Sequence, residues 1–419
     1  MQKISESQVA LVWQRQLLDT AGLATEDGRP LDVIYPGRPN DDHGADFRDA
    51  VISTGRSLLK GDVEVHVRSS DWHNHGHDTD TAYNRVVLHV VMWHNSPRAT
   101  VLQNGFEVPV LALDKYATFS LSDSRGPPCA EAAPETTAAF LDYSGEIRFL
   151  EKAEKFRNRV SQAEAAQALY ESIMEALGYV KNRQPFLELA RRLPLKDLEV
   201  ITRSRLSGKE CLARLQAILL DRASLLSGWN RFKVRPQNSP ARRIIAMSHL
   251  LVRYRKGGIL EELTDMLAQT GDKQGYNMLE KAFVVVTSPT GTLVGRDRAA
   301  VIVINVLLPF GYAWGQLTRR TGLVQKALEL YRHYPRRAAN SIEKHMGRQL
   351  GLNPKLVNSA QKQQGLIHIY KNLCTQGLCA YCNLSQPHSG QHVHVYTISP
   401  PGLKTVIPAA GHHSGVVGA

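Results

Sequence analysis

The sequence predicts an α+β protein: an N-terminal mixed-sheet domain followed by a mainly helical domain. Three observations carry this expectation. Short runs rich in β-branched residues, punctuated by turn signals, crowd residues 1–118. Helical periodicity prevails over 138–384. Between them "SLSDSRGPPCAEAAPETT", residues 120–137, reads as a linker by its Pro, Gly and Ser content, which sets the linker at 119–137. After Leu384 the composition turns to Pro, Gly, Ser and His, so 385–419 is expected to be a disordered tail.

The elements follow in order. Val9, Trp13 and Leu17 recur at helical spacing behind the capping candidates Ser5 and Ser7, with Gly22 as a stop. Strands are expected at Asp32–Tyr35, Asp46–Ser53, Leu58–Val67 and Val86–Trp93. The last of these, "VVLHVVMW", is apolar on both faces and so should be central. Asn104-Gly105 between apolar runs predicts a hairpin of Thr100–Gln103 with Glu107–Leu113, because both turn positions take positive φ. In the helical half, Leu323, Ala327 and Leu330 mark one helix, and Ile342, Met346 and Leu350, closed by Gly351, mark another. Ala299–Gly315 is the most apolar segment; Asn305 and Pro309 interrupt it, which predicts a buried helix and no membrane span.

Composition narrows the class. Hydrophobic content of 43% and charged content of 21% are those of a globular protein. The N-terminus has no basic segment leading into an apolar run, so no secretory leader is expected. Five Cys, three of them within nine residues, argue against a disulfide framework and for a reducing, cytoplasmic setting. Charge is unevenly placed: residues 1–116 hold 11 Lys+Arg and 16 Asp+Glu, whereas the remainder carries a net +17. A basic half of that size suggests a polyanionic partner, nucleic acid.

Three stretches offer chemistry. In "KGDVEVHVR", alternation puts Asp62, Glu64 and His66 on one strand face. "HGADF" sets Asp46 at the head of a strand able to pair with it. An acid on one strand and an acid-x-base on its neighbour resembles the layout of the PD-(D/E)xK nucleases, with His66 where that superfamily usually has Lys, and the resemblance implies a restriction-endonuclease-like fold for the N-terminal domain. On this reading Asp46 and Glu64 hold Mg²⁺ or Mn²⁺ through oxygen and His66 activates water. The alternative is a hairpin with a solvated polar face. "SSDWHNHGHDTDTAYN" then brings His73, His75 and His77, candidates for metal or phosphate contact, with Asp71 and Tyr83 as lesser ones. The weaker readings of this loop are a capped turn, in which Asp80 starts a short helix, or a zinc hydrolase site. His89, in an apolar strand, reads as a satisfied core residue.

The second stretch is "WNRFKVRPQNSPARRIIAMSHLLVRYRKGG", free of acids, in which Arg235, Arg242 and Arg243 are the candidate phosphate contacts. A structural or merely solvated basic face is the competing reading. The third is "CTQGLCAYC": Cys374, Cys379 and Cys382 have a chelating spacing for zinc or an iron–sulfur cluster. Cys129, Cys211, His368 or His388 could supply a fourth ligand.

Taken with "GADF", "GDVEVHVRSSDWHNHGHDTDTAYNRVVLHVV", "RPQNSPARRI", "NVLLPF" and "QGLIHIYKNLCTQGLCAYC", the chain resembles bacterial domain-of-unknown-function family 2851 over about residues 5–384. That resemblance implies domain extent and no activity. The function expected from the residues is a metal-dependent nuclease or phosphodiesterase acting on nucleic acid. The rival is a non-catalytic nucleic-acid-binding or scaffold protein with a degenerate nuclease core.

Overall fold

In the computed structural model, which describes residues 4–19, 22–55, 57–117, 128–232, 234–271, 275–288 and 291–385, Ser5 opens helix α1 (Glu6–Arg15). The Gln8 side chain accepts the Ser5 N–H at 2.9 Å, half of a capping box. Val9, Val12 and Trp13 form its buried stripe. The helix stops at Arg15 because Gln16 turns left-handed, with φ 51°. Leu17 therefore packs from outside the helix instead of within it.

Six strands make one sheet: β1 (Asp32–Tyr35), β2 (Arg38–Pro39), β3 (Phe47–Ser53), β4 (Leu58–Arg68), β5 (Val86–Trp93) and β6 (Val110–Ala112). The order is β1-β3-β4-β5-β6, with β2 on the outer half of β3. β3 and β4 are antiparallel, whereas β4–β5 and β5–β6 are parallel. Val63 and Val65 of β4 pack with Phe47, Ala50 and Ile52 of β3 under α1. β5 is buried on both faces, as its unbroken apolar run predicts. The turn at Asn104-Gly105 forms, with Gly105 at φ 87°, but the flanking hairpin shrinks to a Val101–Glu107 bridge and the three-residue β6. Pro109 lacks an N–H, and it interrupts the second arm.

One irregularity sets the site. Phe47 pairs Val63 but Ala50 pairs Gly61, so Arg48 and Asp49 together stand opposite Asp62. Asp49 is the left-handed residue of this bulge, at φ 61°, and its N–H donates to Asp62 Oδ1 at 3.1 Å. Ala50 and Ile52 face α1, and simple alternation back from them would turn Asp46 toward α1 as well. The extra residue reverses the phase, so Asp46, just ahead of β3, comes onto the face of Glu64.

Helical structure starts inside the segment read as a linker. A 3-10 turn spans Pro128–Glu131, and helix α3 (Pro134–Gln162) begins four residues before 138. Residues 118–127, Lys233 and the expected tail 386–419 lie outside the described residues. α3 crosses the helix Ala360–Asn372 at glycines: a Cβ on Gly145 would strike the Gln361 carbonyl, and one on Gly365 the Leu141 carbonyl. The helical run Arg296–Leu317 is long and apolar enough to cross a membrane by composition, yet most of it is buried in the helical core. Within it Val303–Leu307 widens to a π turn, next to Pro309, which has no N–H to give Asn305.

The C-terminal helices also cover the sheet. Tyr35 and Val51 share a core with Leu141, Met346, Leu366 and Tyr370. Polar ties run along the same seam: Tyr35 Oη to His345 Nε2 at 2.6 Å, and the Tyr370 hydroxyl to Asp49 Oδ2 at 2.7 Å.

Candidate metal centre

β4 presents Glu64 and His66 on the face opposite Val63 and Val65, and the bulge delivers Asp46 beside them. The two acids clamp each other's backbone: Asp46 N–H donates to Glu64 Oε2 at 3.0 Å, and Val65 N–H donates to Asp46 Oδ2 at 3.2 Å. One oxygen of each carboxylate is thus spent on the hairpin and the other is left for the site. Burial raises both carboxyls, Asp46 to about 7 and Glu64 to about 8. Repulsion by Glu64 adds to the shift of Asp46, and repulsion by Glu6 to that of Glu64.

The loop after β4 closes over this face. Asp71 Oδ2 accepts the Arg68 N–H at 3.1 Å, opening the single-turn helix α2 (Asp71–Asn74). Trp72 is buried and donates to the Val101 carbonyl at 3.0 Å, anchoring the loop to the far side. Gly76, at φ 72°, reverses the chain, and Asp80 caps the 3-10 turn Thr81–Tyr83 through the Ala82 N–H. His77 is then pressed on the Tyr83 ring, centroid to centroid 3.9 Å.

Three imidazoles converge. His66, His75 and His77 each bring a ring nitrogen within 4.8 Å of the others, the one such group among the described residues. His66 Nε2 lies 3.1 Å from His75 Nδ1 and 3.5 Å from Glu64 Oε1; His77 Nε2 lies 3.1 Å from Glu64 Oε1. The His77 Nε2 contact has no hydrogen-bond geometry, so a buried nitrogen is left without a partner. A cation among these atoms would supply one, so the donor set fits a metal. His75 and Glu6 are exposed and leave the site open on one side.

His89 orients His66. His66 Nδ1 is 2.9 Å from His89 Nε2, and His89 Nδ1 is 3.0 Å from the Thr100 hydroxyl. With Nδ1–H of each ring donating outward along this chain, the His66 Nε2 lone pair faces the site, as a metal ligand requires. Burial and the surrounding histidines push His66 down to about 2 and His89 to about 3, so both rings are neutral at physiological pH. His89 is thus a satisfied core residue, and one with a positioning task.

The sequence candidates divide. Asp46, Glu64, His66, His75 and His77 are brought together. His73 is not: its Nδ1 bonds Asp78 at 2.9 Å and its Nε2 lies 3.1 Å from the Ala99 carbonyl, so it staples the loop. Asp62 holds the bulge, Asp71 the loop start, and Tyr83 the His77 ring. Glu6, 3.9 Å from His66 Nε2, was not anticipated; a lone acid in a first helical turn carries no sequence signal of a site.

The basic stretch is largely structural. Arg243 is buried, and its terminal nitrogens donate to the Leu293 carbonyl, the Tyr179 hydroxyl and Asn238 Oδ1. Arg242 donates to the Thr292 carbonyl and Arg253 to those of Ala282 and Val284. Arg242 and Arg243 thus tie the helix Pro240–Arg253 to β8 (Gly291–Val294), which forms a hairpin with β7 (Val285–Thr287), and Arg253 ties its end to the residues just ahead of β7. The phosphate role expected of Arg243 is overturned by this burial, and Arg242 is half-buried; Arg235 alone of the three is exposed. Backbone carbonyls, which do not show in a charge count, take the place of acidic partners.

Fold and site together define a mixed α+β protein whose sheet carries a histidine-rich candidate metal centre. The chain belongs to DUF2851, a family of proteins of unknown function, whose model matches residues 6–228. That span takes in Glu6, both carboxylates and all three imidazoles, and ends before "RPQNSPARRI", "NVLLPF" and the cysteine-rich stretch, short of the extent expected from sequence. No curated protein and no solved structure matches the chain.

Proposed function

We propose that the protein is a metal-dependent nuclease or related phosphodiesterase acting on nucleic acid. The observation that carries this reading is the convergence of His66, His75 and His77 beside Glu64 and Asp46 on one face of the sheet, open on the side of His75 and Glu6. The reading is also supported by the resemblance of the hairpin, with Asp46 ahead of β3 and Glu64-x-His66 in β4, to the layout of the PD-(D/E)xK nucleases, with an imidazole in place of the usual Lys. Three nitrogen donors turn the metal preference from magnesium toward zinc or iron(II). His66 would then be a ligand, and Glu64 Oε1, 3.5 Å from His66 Nε2 and 3.1 Å from His77 Nε2, would be the base toward water. The cation would polarise a phosphoryl oxygen and lower the pKa of that water. The net +17 beyond residue 116 supports a polyanionic substrate.

The test is cleavage of single- and double-stranded DNA and RNA with each metal, by wild type, Glu64→Ala and His77→Ala. Metal-dependent cleavage that falls by at least about a hundredfold in both variants is expected. Nucleic-acid binding without cleavage under any metal would instead establish the non-catalytic binding protein.

A further inference from the structure

The cysteines are not part of the site above, yet they also converge. Cys374 and Cys382 are buried in the core shared by the sheet and the C-terminal helices, and Cys129 packs against it from the turn ahead of α3. Gln349 bridges them: its Nε2 lies 4.0 Å from Cys374 Sγ, and its side chain also contacts the Cys129 thiol. Cys374, Cys379 and Cys382 are gathered by the two turns after the last helix: the Gly377 N–H donates to the Cys374 carbonyl at 3.1 Å, and the Cys382 N–H to that of Cys379 at 3.0 Å. Cys211 stands apart, its thiol on the Ile201 carbonyl in the helical core. His368 contacts Glu151 and Asn372 instead, and His388 lies outside the described residues.

We infer that Cys129, Cys374, Cys379 and Cys382 together ligate an iron–sulfur cluster. Four thiolates without a histidine suit either zinc or such a cluster, and spacing separates the two. Tetrahedral zinc with Zn–S of about 2.3 Å holds its sulfurs roughly 3.8 Å apart. In a four-iron cluster each thiolate binds a different iron, so the sulfurs sit several ångströms further out. With the Gln349 amide in contact with both Cys374 Sγ, at 4.0 Å, and the Cys129 thiol, the pocket has room between these sulfurs for a group larger than one zinc ion. The turn between Cys374 and Cys379 is shaped for its place: Gly377 is left-handed at φ 71°, and a Cβ there would come within 2.9 Å of Val51. The centre would therefore staple the turn before α3 and the turns after the last helix onto β3. On assembly each Sγ–H is exchanged for Sγ–Fe and the thiol protons leave to solvent, while ferrous and ferric iron in equal amounts, with one inorganic sulfide per iron, supply the core without net electron transfer.

The test uses the full chain purified without chelator and without oxygen, with iron, zinc and acid-labile sulfide measured per chain. Iron and sulfide in equal amounts, lost in Cys129→Ser and Cys379→Ser and kept in Cys211→Ser, are expected. His77→Ala should keep the sulfide and an equal amount of iron, whichever metal the site of the proposed nuclease holds, which separates the two centres. Should Cys129→Ser fail to fold, alkylation of wild type decides: Cys129 should be protected until iron is chelated. One zinc per chain lost on the same substitutions, or neither metal together with freely alkylated Cys129, would overturn the assignment.

Discussion

If Asp46 and Glu64 flank a cation, metal binding must compete with protons. Burial holds these carboxyls at about 7 and about 8, so the metal-free site keeps protons that a cation has to displace. At about pH 9 on the order of 90% of molecules carry both carboxylates; at about pH 6.5 the fraction is on the order of 1%. Affinity for zinc or manganese should therefore weaken about a hundredfold between those two values, or about 3 kcal/mol at 1.36 kcal/mol per pKa unit. His66 adds nothing to this slope, because it is already neutral throughout. Calorimetric titrations in buffers of different ionisation enthalpy count the protons directly. Between one and two should be released at the lower pH and almost none at the higher, and Glu64→Gln should remove about one. Affinity that does not change with pH, or an unaltered proton count in Glu64→Gln, would mean that imidazoles alone bind and the carboxylates are bystanders.

Stability of the metal-free protein should fall on both sides of mildly acidic pH. The raised carboxyls contribute stability at low pH that is lost as pH rises through about 7 to 8, and the depressed His66 and His89 contribute stability above about 6.5 that is lost as pH falls. In thermal melts, added metal should remove only the alkaline loss. Gly365→Ala should destabilise by at least about 3 kcal/mol in urea melts, because its Cβ meets backbone at the α3 crossing. Gly322→Ala, with open space around it, should be neutral or slightly stabilising. Arg243→Ala should cost about 2–4 kcal/mol by stranding buried acceptors. It should leave the salt dependence of nucleic-acid binding unchanged, whereas the exposed Arg235→Ala should lower that slope by about one with little loss of stability. His73→Ala should keep the full metal stoichiometry, since that ring serves Asp78 and Ala99.

Much of this was legible in the sequence where a single local rule governs. Alternation in β4 placed Glu64 and His66 together, and the unbroken apolar run of β5 predicted burial on both faces. Asp80 could be read as a cap. What was not legible depends on events between elements. Asp46 reaches Glu64 only because Arg48 and Asp49 share one partner, and nothing in "FRDAVIS" marks Asp49 as the left-handed residue. The three loop histidines look equivalent at alternate positions. Gly76 and the Trp72 anchor turn His75 and His77 inward while His73 stays with Asp78. Arg243 reads as a surface cation because its partners are uncharged: a carbonyl 50 residues on, a tyrosine hydroxyl and an asparagine oxygen. Cys129 has no chelating spacing with the other cysteines, and only the packing of the turn at Pro128–Glu131 brings it to them.

The most direct test of the metal centre is the position of the ion itself, by anomalous diffraction from crystals of wild-type protein grown with zinc. One peak about 2.0–2.1 Å from ring nitrogens of His66, His75 and His77, with Glu64 Oε1 beside it, is expected. A crystal with no peak at that place, or with zinc held instead by His73 and Asp78, would contradict it.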